Sequence, residues 1–203
     1  MNVFRPFRSH LYRLIALSRR TAGLATILSI VGITGSACQT PPDTRPSLIT
    51  PGLDRELCDL LPFEVPLIGV PQLTQLTHEA MILDARAPEE FRESHIPGAQ
   101  LAGFKTFDAS LWENLPRDTL IVTYCSVGYR SDLIGQRLRK MGFSNVYNLY
   151  GSLFEWANQG LPLINNQGDT VNTVHTYNAD WSKWVVREDL KKVWYHSVLV
   201  GPL

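Results

Sequence analysis

Cys125 stands first in the stretch Cys125-Ser126-Val127-Gly128-Tyr129-Arg130-Ser131, and this is where the chain is best equipped to do chemistry. A thiolate is a strong nucleophile, and its reactivity depends on what lowers the thiol pKa. The apolar run Ile121 to Tyr124 before the cysteine reads as a buried strand. The residues after it read as a helix, with Ile134, Leu138 and Met141 at i, i+4 and i+7, Leu133 beside them and Gly142 at the C-cap. Cys125 therefore falls between a strand end and a helix start. There the unpaired N–H groups and the helix dipole favour an anion. Gly128 lets the loop curl so that its amides converge. Arg130 adds a permanent positive charge, and Ser131 places a hydroxyl near the helix start. The expected product is a cup for a thiolate and an incoming oxyanion.

A single cysteine after a strand also suits a small buried hydrophobe, so the loop has to be weighed with what precedes it. Upstream run Asp84-x-Arg86, Glu90-Phe91 and His95-Ile-Pro-Gly-Ala99, and downstream come Gly151, Trp156 and Gly160-Leu-Pro162. With the Cys125 loop, these motifs resemble the rhodanese (sulfurtransferase) domain family in order and spacing, over about half the chain, from near Gly69 to near Leu163.

The resemblance implies an α/β fold: a central, mostly parallel five-stranded sheet flanked by helices on both faces. It implies sulfurtransferase activity through a persulfide on Cys125. A donor such as thiosulfate would supply the sulfur, and a thiol, cyanide or a protein would accept it. Cys125 is then the catalytic residue, and Ser126, Val127, Gly128, Tyr129, Arg130 and Ser131 bind substrate and stabilise the oxyanion. Asp84 and Arg86 are expected to support the site, Arg86 near its mouth. His95 is expected in a structural turn, since a persulfide reaction needs little proton transfer. No cofactor is implied.

Two other readings compete. Cysteine-dependent phosphatases and arsenate reductases resemble Cys-x5-Arg, whereas this loop is Cys-x4-Arg, a smaller cup that favours sulfur. A rhodanese-like module could instead bind persulfides or proteins without turnover. The loop's single cation and its bulky Tyr129 leave the identity of the donor open.

The elements that must position the loop can be read in order. Leu53 to Leu61 suits a short helix carrying Cys58, a small core residue or, alternatively, a resolving thiol for Cys125. Val65 to Val70 reads as a first strand and Pro71 to Leu76 as a short helix. Met81 to Leu83 is a buried strand ending at Asp84, where open α/β sheets place their ligands. Pro88 to Arg92 opens a helix, with acidic residues in its first turn. Gln100-Leu101 starts a strand, Leu111 to Leu115 suits a helical turn, Val146 to Leu149 is the last strand of the domain, and a helix starts within Gly151 to Trp156. Beyond Asn165 lie Trp181, Trp184 and Trp194 and an expected helix from Val186 to Trp194. Aromatic residues there suit packing of a tail around the domain.

The 203 residues carry 19 basic and 19 acidic side chains. All five charged residues before Cys38 are arginines, so the remainder is mildly acidic. No basic stripe is left for nucleic acid. His10, His78, His95, His175 and His196 lack metal-ligand spacing. The basic start, the apolar run from Ala22 to Ile33 and Gly35-Ser-Ala-Cys38 resemble a bacterial lipoprotein signal, with Cys38 lipidated; an uncleaved membrane anchor and a plain secretory signal are the alternatives. Gln39 to Pro51 is a Pro- and Thr-rich spacer. The expected organisation is a signal peptide (1–37), a lipidated N-terminus and linker (38–64), the rhodanese-like domain (65–164) and an extension packing on it (165–203). The protein is expected as a monomer at the cell envelope, held at the membrane surface by Cys38.

Overall fold

The computed structural model describes residues 44–194. The expected signal, Cys38 and the first part of the linker lie outside the described residues. Among the described residues no helix is long and apolar enough to cross a membrane.

Five strands form one parallel sheet in the order β1-β5-β4-β2-β3. They are β1 (Leu67–Ile68), β2 (Met81–Asp84), β3 (Gln100–Leu101), β4 (Ile121–Tyr124) and β5 (Val146–Leu149). The central β4 pairs with β2 from Met81↔Ile121 to Asp84↔Tyr124, and with β5 starting at Ile121↔Val146. All four residues of β4 are buried, so it shows no alternation with exposed positions, and its one hydroxyl in mid-strand, Thr123 Oγ1, donates to backbone oxygen at Ser131 O or Tyr147 O.

Between the strands lie α1 (Pro51–Leu60), α2 (Val70–Leu76), α3 (Pro88–Glu93), α4 (Tyr129–Lys140) and α5 (Ser152–Asn158). Alternation along β4 sends Val122 and Tyr124 into one core with Leu53, Leu57, Leu73, Leu153 and Phe154, so α1, α2 and α5 cover that face. Ile121 faces the second core with Ile134 and Leu138, under α4. Both faces are therefore covered by helices, and the sheet ends carry the loops.

Three local expectations change. The strand expected from Val65 to Val70 is confined to Leu67–Ile68. Val70 already opens α2, whose first turn holds Pro71. The helical turn before β4 comes earlier than expected, as a 3-10 turn at Ala109–Trp112, because Asp108 accepts from the Ser110 N–H and caps it. The helix expected from Val186 to Trp194 does not form. That segment makes a turn held by the Arg187–Asp189 ion pair and then β9 (Lys191–Val193), which pairs in parallel with β8 (Thr173–His175). A pairing partner upstream outweighs the local apolar spacing.

The extension also forms a small hairpin of β6 (Leu163–Ile164) with β7 (Thr170–Val171), and a short α6 (Ala179–Ser182). It is pinned to α5 through Asn158, whose Nδ2 donates to Trp184 O at 2.8 Å and whose Oδ1 accepts from Val186 N at 2.9 Å. The Trp184 ring lies against Gly52 of α1, where an added Cβ would come within 2.8 Å of it.

Candidate active site

Cys125 is the first residue past β4, in a loop gripped from both sides. The first turn of α5 takes its carbonyls: Leu153 N donates to Cys125 O and Phe154 N to Ser126 O, each at 3.1 Å. Cys125 N donates to Ser152 Oγ at 3.2 Å. On the α4 side, Gly128 adopts φ +123°, a conformation L side chains rarely take, with Leu61 3.4 Å from where its Cβ would stand. Gly128 O accepts from Asn148 Nδ2 at 3.0 Å, and Ser131 Oγ lies 3.1 Å from that oxygen and 2.8 Å from Asn148 Oδ1.

This curl aims the Gly128 N–H at Cys125 Sγ, 3.1 Å away. Burial alone would push the thiol up. The Arg130 charge and the N–H groups of Ser131, Gly128 and Val127 outweigh it, so the Cys125 pKa lies below its ordinary value. Cys125 is 1% exposed and borders a cavity of ≈ 50 Å³, lined also by Ser126, Val127, Tyr129 and Arg130 of the loop with Leu60, Tyr177 and Trp181. The loop residues thus come together around the sulfur, with one qualification. The Ser131 side chain holds the loop's shape, while its N–H faces the thiolate.

Arg130 is held by a residue forty positions upstream. Its Nη1 lies 2.6 Å from Glu90 Oε2 and its Nη2 2.9 Å from Glu90 Oε1, a two-pronged pair, and Nη2 also reaches Ser126 Oγ at 3.1 Å. Burial favours the neutral form of Glu90, but hydrogen bonds from Arg130 and the nearby guanidinium charges of Arg130 and Arg86 hold its carboxyl well below the usual range. Glu90 Oε2 also accepts from Ala87 N at 2.9 Å, closing the first turn of α3.

A family model described as rhodanese-like domain matches residues 70–159. A sulfurtransferase of Allochromatium vinosum is 32% identical over 92 residues, covering 45% of this chain and 85% of that protein. The chain belongs to the rhodanese-like family. The Mycobacterium tuberculosis protein named "Probable adenylyltransferase/sulfurtransferase MoeZ" is 35% identical over 82 residues, but the match spans only 21% of it. A solved structure of a rhodanese-related protein from Thermoplasma volcanium aligns at TM-score 0.45 with 23% identity, covering 49% of this chain and 97% of that one.

In this rhodanese-like chain Asp84 and Arg86 form a second ion pair, at 2.7 Å, with both side chains fully buried. Arg86 was expected near the mouth of the site. It lies sealed beneath it, over the Tyr124 ring, with Nη2 donating to Ser94 O at 2.6 Å. Its long side chain bridges the end of β2 to the end of α3 instead of reaching outward. His95 lies in an isolated antiparallel bridge with Ile164, just before the turn at Pro97 and Gly98 where it was expected; its ring stacks on Phe91 at 3.7 Å and Nδ1 sits 2.8 Å from Phe91 O. Cys125 is a free thiol, so it is not joined to Cys58, which is half-buried on α1.

Four residues escaped the sequence reading: Glu90 as the partner of Arg130, Asn148 as the loop's clamp, and the extension's Tyr177 and Trp181 in the cavity wall. Glu90 had a signal, since the motif pair Glu90-Phe91 already belonged to the resemblance. Asn148, a polar residue in an otherwise apolar buried strand, carried one too. Tyr177 and Trp181 carried none beyond their aromaticity.

Proposed function

We propose that the protein transfers a sulfane sulfur through a persulfide on Cys125. The Cys125 thiolate attacks the outer sulfur of a donor. With thiosulfate, the donor S–S bond breaks, its electron pair leaves with sulfite, and a Cys125–S–S⁻ persulfide forms. An acceptor nucleophile, such as cyanide, a thiol or a protein thiol, then takes the terminal sulfur and returns the thiolate. Neither half-reaction changes the net charge or needs an outside oxidant. The amide crown that steadies the thiolate can also take the persulfide's negative charge.

The observation that carries this reading is the Gly128 N–H pointing at Sγ from 3.1 Å, beside Arg130 and a bordering cavity. The sulfurtransferase relatives support it. The test is turnover of a sulfane donor with cyanide as acceptor, read as thiocyanate. The intact protein should turn over well above the uncatalysed background, and Cys125→Ser should lose the enzymatic rate altogether. A Cys125→Ser protein that still forms thiocyanate at the original rate would refute the assignment.

A further inference from the structure

The cavity beside Cys125 is not built by the loop alone. Its outer wall is Leu60 from the end of α1 with Tyr177 and Trp181 from the C-terminal extension, facing Val127 and Tyr129 of the loop. That wall is apolar and largely aromatic. It is also held firmly. Tyr177 adopts φ +67°, uncommon for a bulky residue. Its N–H donates to His175 Nδ1 at 3.2 Å, and its ring packs over the Arg130 guanidinium at 5.4 Å. Asn178 caps the turn that carries Trp181, accepting from Trp181 N at 2.9 Å. With ≈ 50 Å³ of free space, the cavity holds only a few heavy atoms, since roughly 10–15 Å³ on this measure admits one water.

Its charge is equally restrictive. Among the described residues Arg130 is the only cation in the lining, and both of its terminal nitrogens bond Glu90. With Cys125 ionised, the thiolate, Arg130 and Glu90 together leave one net negative charge beside the reacting sulfur. A doubly charged donor meets that charge with the two-pronged end of the only lining guanidinium already turned to Glu90. A carrier with a large polar body would have to lay that body on Tyr177 and Trp181, losing hydration without gaining hydrogen bonds.

Resting on the sulfur-transfer reading above, we propose that Tyr177, Trp181 and Leu60 form a specificity-determining rim that selects a small alkyl persulfide with an uncharged body over thiosulfate and over large, charged persulfides. The step balances without a further reactant. Cys125–S⁻ attacks the terminal sulfur of R–S–S–H, the donor S–S bond breaks as the new one forms, and the proton leaves with R–S–H, giving Cys125–S–S⁻.

The test measures how fast the intact full-length protein gains one sulfur on Cys125, with three donors at equal concentration: the persulfide of 2-mercaptoethanol, glutathione persulfide and thiosulfate. The small persulfide should load at least about tenfold faster than either of the others, the factor that separates barriers by 1.36 kcal/mol. Trp181→Ala should raise the ratio of glutathione-persulfide to small-persulfide loading several-fold. Leu60→Ala should move that ratio the same way and serves as a second reading should the tryptophan variant fail to fold. Equal loading by all three donors, or a ratio unmoved in both variants, overturns the rim. No loading by any donor overturns the sulfur-transfer reading itself, a different result from a loaded protein without selectivity.

Discussion

The chain buries two carboxylate–guanidinium pairs within a few residues of each other, and they do different work. Asp84–Arg86 joins residues two apart and is closed off completely, with both side chains at 0% exposure. Glu90–Arg130 joins residues forty apart and keeps a face to the cavity, at 4% and 11%. The first ties the end of β2 to the end of α3 through Ser94 O. The second ties α3 to the Cys125 loop and contributes to the charge around the sulfur. Chemically similar pairs thus divide between holding the sheet end together and tuning a nucleophile, and exposure to the cavity separates the two roles.

The contrast can be broken at either pair. The largest effect belongs to Arg86→Met, which strands the Asp84 charge with no solvent access. Unfolding in urea should show a loss of about 3–5 kcal/mol, with sulfur loading per folded molecule reduced less than by a change at Arg130. A loss under about 1 kcal/mol would mean that the sealed pair is not structural. Arg130→Met strands the buried Glu90 and so also costs stability, but it should in addition raise the barrier to sulfur loading per folded molecule by about 3 kcal/mol, the scale expected when a stabilising donor at a reacting anion is removed. A purely structural Arg130 would lower stability and leave the loading rate of folded protein alone.

The pH profile sharpens the same point. Because the Cys125 pKa is depressed, wild-type loading should decline as pH falls through that lowered value, on a limb that lies at lower pH than for an ordinary thiol. Arg130→Met removes a cation that favours the thiolate, so its declining limb should move to higher pH; an unmoved limb contradicts the role given to Arg130. The Glu90 pKa is depressed as well, so its stabilising contribution is present above the unfolded value of roughly 4.3 and fades as pH falls below it. Glu90→Gln should flatten that acid-side loss of stability. The smallest effect is expected from Ser131→Ala, which removes one neutral hydrogen bond from the loop. It should cost about 1 kcal/mol of stability and slow loading by less than about tenfold.

The pattern of legibility follows the same division. The short apolar runs that became β2, β4 and β5 and the amphipathic spacing of α4 were visible because their signals are local. The Cys125 loop was visible because strand end, glycine and arginine are adjacent in sequence. Asp84 and Arg86 were visible as a pair at i, i+2, yet the direction of Arg86 was not, since burial depends on what α3 and Tyr124 place around it. Glu90 read as an ordinary first-turn acid, and only folding across forty residues joins it to Arg130. Val186 to Trp194 looked helical until a partner strand, Thr173–His175, was available. Tyr177 and Trp181 reach the sulfur through an extension whose course is set by Asn158 and by β-pairing, interactions with no mark in local spacing.

The central claim is that one sulfur, Cys125 Sγ, is kept ionised and reachable by the loop's amides and Arg130. Its most direct test is mass spectrometry of the purified protein after brief exposure to a sulfane donor, followed by peptide mapping. The account predicts one added sulfur per chain, located on the peptide containing Cys125 and absent from Cys125→Ser protein. An unmodified Cys125, or an added sulfur that persists in the Cys125→Ser protein, would contradict it.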